Sequence, residues 1–177
     1  MVSKTREKFI EVARQLFARK GIENTTMNDI ASASDKGRRT IYTYFKSKRD
    51  IFNAVIERET DKLLESLRQI ADMPGNPEEK LRQYVACRFF RDVRKVDRAR
   101  KVISSKEIEM LRRILQQGQD ENVFNIDDIP ARAVIITHAL QGLDVPYIRD
   151  SLADREISKA TMVKYVADLI LNGIKTH

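Results

Sequence analysis

Apolar residues recur along this chain at intervals of three and four, the spacing that lines up side chains on one face of an α-helix. No segment alternates apolar and polar residues in the way that is typical of a half-buried β-strand. The pattern therefore predicts an all-α protein. With 177 residues, 42% of them hydrophobic, the chain is long enough to bury a substantial core.

Local signals predict two helices before residue 34. The first runs from near Ser3 to Gly21. The second begins after Thr26, because Thr26 and Asp29 have the spacing of a capping box, in which each side chain bonds the other residue's backbone N–H. The apolar stripes of the two helices are Phe9, Ala13, Leu16 and Phe17, and Met27, Ile30 and Ala31.

A turn at Ser34-Asp35-Lys36-Gly37 separates the second helix from a third. Serine and aspartate bond their own backbone, and Gly37 tolerates a positive φ. The third helix runs from Arg38 to Phe45, with Ile41 and Phe45 facing inward. Its outward face carries cations and hydroxyl groups, at Arg38, Arg39, Thr40, Thr43 and Tyr44.

The remaining sequence predicts a long fourth helix and four helices beyond it. Ser47 caps the fourth helix, which ends at the break Met73-Pro74-Gly75-Asn76-Pro77. The later helices start at Pro77, near Asp97, near Pro130 with Asp127 or Asp128 as cap, and at Ser158. Within the helix from Asp97 to Gly118, the sequence also allows a break near Ser104-Ser105. We expect a helix-turn-helix domain in 1–47, a connecting helix in 48–73 and a helical C-terminal domain in 74–177.

The positive charge of the chain is concentrated at its N-terminal end. The whole chain has a formal net charge of +7, and residues 1–50 hold 12 Lys+Arg against 6 Asp+Glu. Nearly all of the excess positive charge therefore lies in the segment that is predicted to form the first three helices. This asymmetry favours a polyanionic partner over a general contribution to solubility.

The outward face of the third helix has chemistry that suits a DNA major groove. Arginine can bond O6 and N7 of guanine with two parallel hydrogen bonds, and threonine and tyrosine can reach thymine methyl groups or phosphates. The alternative is a solvated basic helix that touches nothing specific. The charge distribution favours the DNA-reading interpretation.

Other kinds of site find little support in the sequence. Cys87 is the only cysteine, and His138 and His177 are the only histidines, so neither a disulfide nor a metal cluster is predicted. No catalytic motif is present and no cofactor is expected. No run of about 18 apolar residues or signal segment occurs, so we expect a cytoplasmic protein without a membrane partner.

The last two predicted helices are more apolar than one buried face requires. The helix near Pro130 carries Ala133, Val134, Ile136, Ala139, Leu140 and Leu143, and the last carries Met162, Val163, Val166, Leu169, Ile170 and Ile174. Such breadth predicts packing against a second copy as a two-fold homodimer. The alternative is that both helices only complete the core of their own subunit.

These residues resemble the TetR family of bacterial transcriptional repressors over about residues 5 to 56. The shared motifs are Leu16-Phe17, Gly21, Thr25-Thr26, Ile30-Ala31, Thr40-Ile41-Tyr42-Thr43-Tyr44-Phe45 and Lys48. A weaker similarity covers Gly118, Phe124, Asp127 and Gly142-Leu143. One departure is the turn: the family's Ala-Gly-Val-Ser-x-Gly-Thr becomes a segment from Ala33 to Thr40 that is one residue longer and lacks the early glycine.

The resemblance implies residues that contact double-stranded operator DNA. Thr25 or Thr26, with Tyr42, Tyr44 and Lys48, would hold phosphates, while Tyr42 could equally be packed between helices. Base edges would be approached by Arg38, Arg39 and Thr40, together with Lys36 and Thr43, around the turn residue Gly37. We expect a DNA-binding regulator that reads a palindrome as a homodimer. The alternative function is an architectural protein that binds DNA without sequence preference.

The resemblance also implies a cavity for a small-molecule effector in the C-terminal domain. Filling it would shift the fourth helix and spread the two reading heads, in favour of a conformation that fits DNA poorly. The candidate pocket residues are Tyr84, Arg88, Phe89 and His138. A surface ion pair is the alternative role for Arg88, and a hydrogen-bonded core or interface position is the alternative for His138.

Overall fold

The computed structural model describes residues 4–90, 97–143, 151 and 154–176. The prediction of an all-α protein is confirmed for these residues, whose only strand-like pairing is one isolated bridge between Phe124 and Lys175. The described helices are α1 (Lys4–Lys20), α2 (Met27–Ala33), α3 (Arg38–Tyr44), α4 (Lys48–Asp72), α5 (Pro77–Phe90), α6 (Asp97–Asp120), α7 (Ile129–Leu143) and α8 (Lys159–Asn172). None of them is long and apolar enough to cross a membrane.

The chain forms two compact units, Met1–Thr60 and Asp61–His177. The helix α4 begins in the first unit and ends in the second, and the breaker after Asp72 terminates it as predicted. The division into domains at residues 47 and 73 stays a prediction.

The first unit is built on one apolar core. The predicted inward stripes of α1, α2 and α3 meet there with the first turns of α4. Phe9, Ile30 and Ile41 are fully buried, and Phe45, which caps the end of α3, is 4% exposed. Burial of each such side chain contributes about 1.5–3 kcal/mol, so this core fixes the position of the short helix α3.

Ion pairs fasten α1 to α4 within the first unit. Arg58 of α4 contacts Glu7 and Glu11 of α1, at 3.8 and 3.1 Å, while Arg14 lies between Glu11 and Glu59. The hydrogen bond from Arg14 lowers the pKa of Glu11 to about 2, with smaller effects from Gln15 and Arg58. Glu11 therefore stays ionised, and the connection between the helices persists, throughout the neutral range.

The capping box that starts α2 is confirmed. The Thr26 hydroxyl oxygen accepts from the Asp29 N–H at 3.1 Å, and the Thr26 N–H donates to the Asp29 carboxylate at 2.9 Å. The role expected for Gly37 is wrong: its φ is −71°, and Asp35 takes the positive φ of 55°. Aspartate is one of the few non-glycine residues that adopt this conformation readily.

The position of Asp35 also corrects the length assigned to the turn. The family pattern places alanine before the glycine, and here buried Ser34 precedes Asp35, the residue with the positive φ. Counted from Ser34 to Thr40, the segment has seven residues, as many as the family's turn. Ser34 rather than Ala33 is therefore the counterpart of the family's alanine, and Asp35 replaces the glycine that marks this position.

The second unit has its own core, formed by the end of α4 and by α5 to α8. The helix α6 is continuous from Asp97 to Asp120, so the break considered near Ser104-Ser105 is absent. It also runs past Gly118, against which the ring of Phe124 packs so closely that a side chain at 118 would overlap it. Asp128 rather than Asp127 caps α7, by accepting from the Ala131 N–H at 2.9 Å.

Candidate nucleic-acid interface

The outward face of α3 is exposed as predicted. Arg38, Arg39 and Thr43 are exposed, and the hydroxyl-bearing side chains of Tyr42 and Tyr44 are 42% and 36% exposed. Lys36 and Gly37 of the preceding turn are exposed as well, whereas Thr40 is half-buried. The face is thus a short row of donor groups backed by the buried side of the same helix.

The two arginines of α3 occupy its first turn, which contains no acidic residue. Cations at the N-terminal end of a helix oppose its dipole, so this placement costs helix stability by a few tenths of a kcal/mol. Neither Arg38 nor Arg39 pairs with a carboxylate anywhere in the part of the chain that the structure describes. Their guanidinium groups are therefore available to an external anion or acceptor.

Carboxylates near this face are neutralised by lysines of α1. Lys8 contacts Asp35 at 3.0 Å, and Lys20 contacts Asp29 at 2.9 Å. The hydrogen bond from Lys20, aided by those from Thr26, lowers the pKa of Asp29 to about 2, and Lys8 likewise lowers the pKa of Asp35. The acids of α2 and the turn thus carry their counter-ions within the fold, which leaves the arginines of α3 unopposed.

The two adjacent threonines before α2 have different environments. Thr25 is fully buried, and its hydroxyl donates to the Gly21 carbonyl at 2.7 Å. Thr26 is exposed, and its hydroxyl oxygen accepts within the capping box, which leaves the hydroxyl proton free to donate. The sequence offered Thr25 or Thr26 as a phosphate contact, and only Thr26 lies at the surface.

The tyrosines of α3 are also used differently. The Tyr44 ring lies 5.9 Å from the Phe9 ring of the core, in a tilted arrangement. Tyr42 is 42% exposed, and the Arg38 guanidinium carbon lies 5.7 Å from its ring centroid. The two roles expected for Tyr42, a phosphate contact and packing between helices, stay predictions.

Lys48 begins α4 beside the loop that joins α1 and α2. Its ammonium group donates to the carbonyl oxygens of Ile22 and Glu23, at 2.8 and 3.3 Å. Lys46, two residues earlier, is exposed and makes no such bond. Sequence reasoning did not select Lys46, although its place directly after Phe45 could have indicated it.

The candidate ligand residues gather around a buried carboxylate of α6. Arg88 contacts Glu107 at 2.8 Å, and the Tyr84 hydroxyl donates to the Glu107 backbone carbonyl at 2.9 Å. Burial is the main reason that the pKa of Tyr84 is raised above its ordinary value. Phe89 is also buried, at 2% exposure. The ion pair of Arg88 is therefore a buried one rather than a surface one.

His138 lies outside this buried group. It is exposed on α7, and its Nδ1 lies 3.1 Å from the amide oxygen of Gln141. The Gln141 amide nitrogen in turn donates to the Glu107 carboxylate at 2.9 Å. The structure thus brings three of the four candidates together and connects His138 to them only through Gln141.

A cleft of about 600 Å³ lies elsewhere in the second unit, between α4 and α6. It is lined by Asp61, Leu64, Glu65, Arg68, Ser105, Lys106, Glu109, Met110 and Arg113. The sequence did not select these residues, since their charges resemble those of any solvated helix face. Within the described residues, no group of three or more potential metal ligands occurs.

Comparison with known proteins places the first unit in a recognised class. The family profile described as bacterial regulatory proteins of the tetR family matches residues 9–55. An HTH-type transcriptional regulator of Staphylococcus aureus strain USA300 is 39% identical over 67 residues. That match covers 38% of this chain and 36% of the relative, so the similarity extends over about a third of the curated protein.

Solved structures match nearly the whole chain. A transcriptional regulator from Cytophaga hutchinsonii is 25% identical with a TM-score of 0.83, covering 98% of this chain and 100% of that one. A TetR/AcrR family regulator from Thermobifida fusca is 26% identical with a TM-score of 0.75, covering 97% and 98%. Both described units of this chain therefore have counterparts in regulators of known structure.

Proposed function

We propose that the chain is a regulator of the TetR family of bacterial regulatory proteins, one that binds DNA with α3 as its reading helix. One observation carries the proposal: an exposed row of unopposed cations and hydroxyl groups is fixed on the buried core of the first unit. A helix with this surface fits the major groove, where base edges present distinct donor and acceptor patterns.

The side chains divide into two groups by the contacts they can make. We assign Arg38, Arg39 and Thr40 to base edges, with Lys36 and Thr43 beside them. Donors around this set are assigned to phosphates, namely exposed Thr26, Tyr42, Tyr44 and Lys46 and half-buried Lys48. Thr25 is assigned to the loop itself, because its hydroxyl is buried and already donates to Gly21.

The regulator would act as a homodimer on a palindromic operator. Support comes from apolar side chains that are exposed on the last two described helices, among them Ile135 of α7 at 64% and Leu169 of α8 at 76%. Covering such a patch with a second copy removes it from water. Two reading helices then require half-sites whose centres lie about 34 Å or more apart.

We further propose a repressor whose affinity for the operator falls when a small molecule binds. The α4–α6 cleft supports this part, since its volume lies within the roughly 300–1,000 Å³ that is typical of ligand sites. An effector that binds one arrangement of α4 and α6 more tightly shifts the population toward it. Release of DNA then needs only that this arrangement fit the operator less well.

Selection of bound sites from a random duplex pool tests the proposal. The expected result is a palindrome, and recovery of unrelated sequences would instead indicate an architectural DNA-binding protein.

The recovered site then serves as the probe for Arg39→Ala, which should lose about 1–3 kcal/mol of specific binding and much less on unrelated DNA. Arg112→Ala, an exposed arginine of α6, is the matched control and should leave both affinities unchanged. Equal losses on both duplexes would show that Arg39 does not read a base.

A further inference from the structure

Arg38 and Tyr42 form a cation–π pair on the outward face of α3. They lie four residues apart, the spacing that brings side chains together on a helix surface. The guanidinium carbon of Arg38 is 5.7 Å from the centroid of the Tyr42 ring, within the range of a cation–π interaction. Both side chains belong to the proposed DNA-reading face.

The Tyr42 ring differs from the Tyr44 ring in its aromatic contacts. Its neighbour Tyr44 packs against the Phe9 ring at 5.9 Å, whereas no ring of the described residues stacks on Tyr42, which is 42% exposed. The ring contact that the described structure shows for Tyr42 is the one with the Arg38 guanidinium group.

Stacking restricts the arginine without occupying its donors. A free arginine side chain is among the most costly to order on binding, because it has many rotamers. A guanidinium group that rests on a ring face keeps its N–H fork at the edge, where the fork can meet O6 and N7 of a guanine. Part of the ordering cost is therefore met before DNA arrives.

We propose that Tyr42 is a positioning residue that sets the base preference of Arg38, in addition to any phosphate bond made by its hydroxyl. The inference rests on the proposed function. It assigns the ring and the hydroxyl of one residue to different tasks, the ring to base discrimination and the hydroxyl to overall affinity. Substitutions that remove one and keep the other separate the two tasks.

The test uses the full-length protein and the operator recovered by selection. Each base pair of a half-site is changed in turn, and the loss of affinity is measured for the wild type and for Arg38→Ala. The base pair of interest is the one at which the wild type prefers the original pair and Arg38→Ala does not. Discrimination at that pair is then measured for Tyr42→Phe, which keeps the ring, and for Tyr42→Leu, which keeps apolar bulk without a π-face. Tyr44→Phe is the matched control, since it removes a hydroxyl from the same helix and leaves the Arg38 stack intact.

Tyr42→Leu should reduce discrimination at that base pair by about two- to fivefold, the range of an exposed cation–π contact. Tyr42→Phe and Tyr44→Phe should keep it, although both can weaken binding to all duplexes alike. In an Arg38→Ala background, Tyr42→Leu should have no further effect on discrimination. The inference would be overturned if Tyr42→Leu discriminated at that base pair as well as the wild type does. It would also be overturned if Tyr42→Leu reduced discrimination just as much in the Arg38→Ala background.

A measurement on the free protein keeps the inference testable whatever the variants do to DNA binding. The NMR signals of the Arg38 side chain should show a ring-current shift in the wild type and in Tyr42→Phe, and lose it in Tyr42→Leu. Absence of the shift in the wild type would contradict the stack. Failure of selection to recover any palindrome would instead refute the proposed function, so the two failures are distinct.

Discussion

Lys48 has a task within the fold as well as a place beside the proposed DNA face. Two of its three ammonium donors bond the carbonyl oxygens of Ile22 and Glu23, which ties the first residue of α4 to the loop before α2. One donor remains for a phosphate. The sequence and the family resemblance suggested only the phosphate role, because a carbonyl partner 25 or 26 residues away leaves no trace in the sequence.

We expect Lys48→Met to affect both folding and binding. Loss of the two bonds should lower the free energy of unfolding by about 1 kcal/mol, a discounted value because the group is only partly buried. Loss of the positive charge should weaken binding to all duplexes and reduce the salt slope by about one. Denaturant unfolding and affinities over a salt series measure the two effects.

Lys46→Met is the matched control for this prediction. Lys46 is exposed and makes no bond within the described residues, so its loss should change the salt slope while the free energy of unfolding stays the same. If Lys48→Met unfolds at the wild-type denaturant concentration, its bonds to the loop carry no stability.

Residue identity alone did not separate the roles of neighbouring side chains. Thr25 and Thr26 are chemically the same, and so are Tyr42 and Tyr44, yet Thr25 alone is buried and the Tyr44 ring packs against Phe9 of the core. Helical periodicity predicted which side of α3 faces outward. It could not predict the Phe9 ring beneath Tyr44 or the Gly21 carbonyl beside Thr25, because these contacts depend on how the helices pack.

The starts of the helices were the most predictable features at the level of elements. Thr26, Ser47, Asp128 and Ser158 each accept a backbone N–H three residues further on. Such capping is local, so residue type and spacing suffice to find it. Pro77 at the first position of α5 follows the same logic.

The course of α6 was harder to predict, because tertiary contacts decide it. Ser104 accepts from the Gln141 side chain at 3.0 Å, and buried Glu107 joins α6 to α5 and α7 one turn later. These contacts hold the helix through a segment of weak helix formers. Gly118 does not end the helix either, since its function there is to leave room for the Phe124 ring.

Gly118→Ala should therefore destabilise the second unit. Alanine gains about 1 kcal/mol of helix propensity, but the overlap of its methyl group with Phe124 costs about 1–3 kcal/mol, so the net change should be a loss. Gly142→Ala in α7, where a methyl group meets open space, should gain stability. Thermal unfolding of the two variants compares them directly, and a stabilised Gly118→Ala would contradict the packing described for Phe124.

At the level of the whole molecule, α7 and α8 expose several large apolar side chains. Val134, Ile135, Tyr165 and Leu169 are 40%, 64%, 61% and 76% exposed. The sequence indicated this exposure by the breadth of the apolar pattern. It did not identify Ile135 or Tyr165 as exposed, because both fit equally well into an apolar run on a buried face.

Leu169→Asp should convert the proposed dimer to a monomer, since a carboxylate in an apolar interface loses its hydration without a partner. Sedimentation or light scattering at several concentrations measures the mass. Affinity for the full palindrome should fall strongly, while the weak affinity for a half-site should remain. Leu169→Met keeps the apolar bulk and should stay dimeric, and a wild-type protein that is monomeric at all concentrations would refute the dimer.

The acid groups beside α3 stay charged over the physiological range of pH. Residues 1–60 contain neither histidine nor cysteine, the side chains that ordinarily titrate near neutrality. Asp29 and Asp35, paired with lysines, have pKa values lowered further from that range. The charges of these two carboxylates are consequently constant over every acidity a living cell experiences. Protonation of Asp29 or Asp35 therefore cannot serve as the on–off signal at this surface, and control must come through other chemistry.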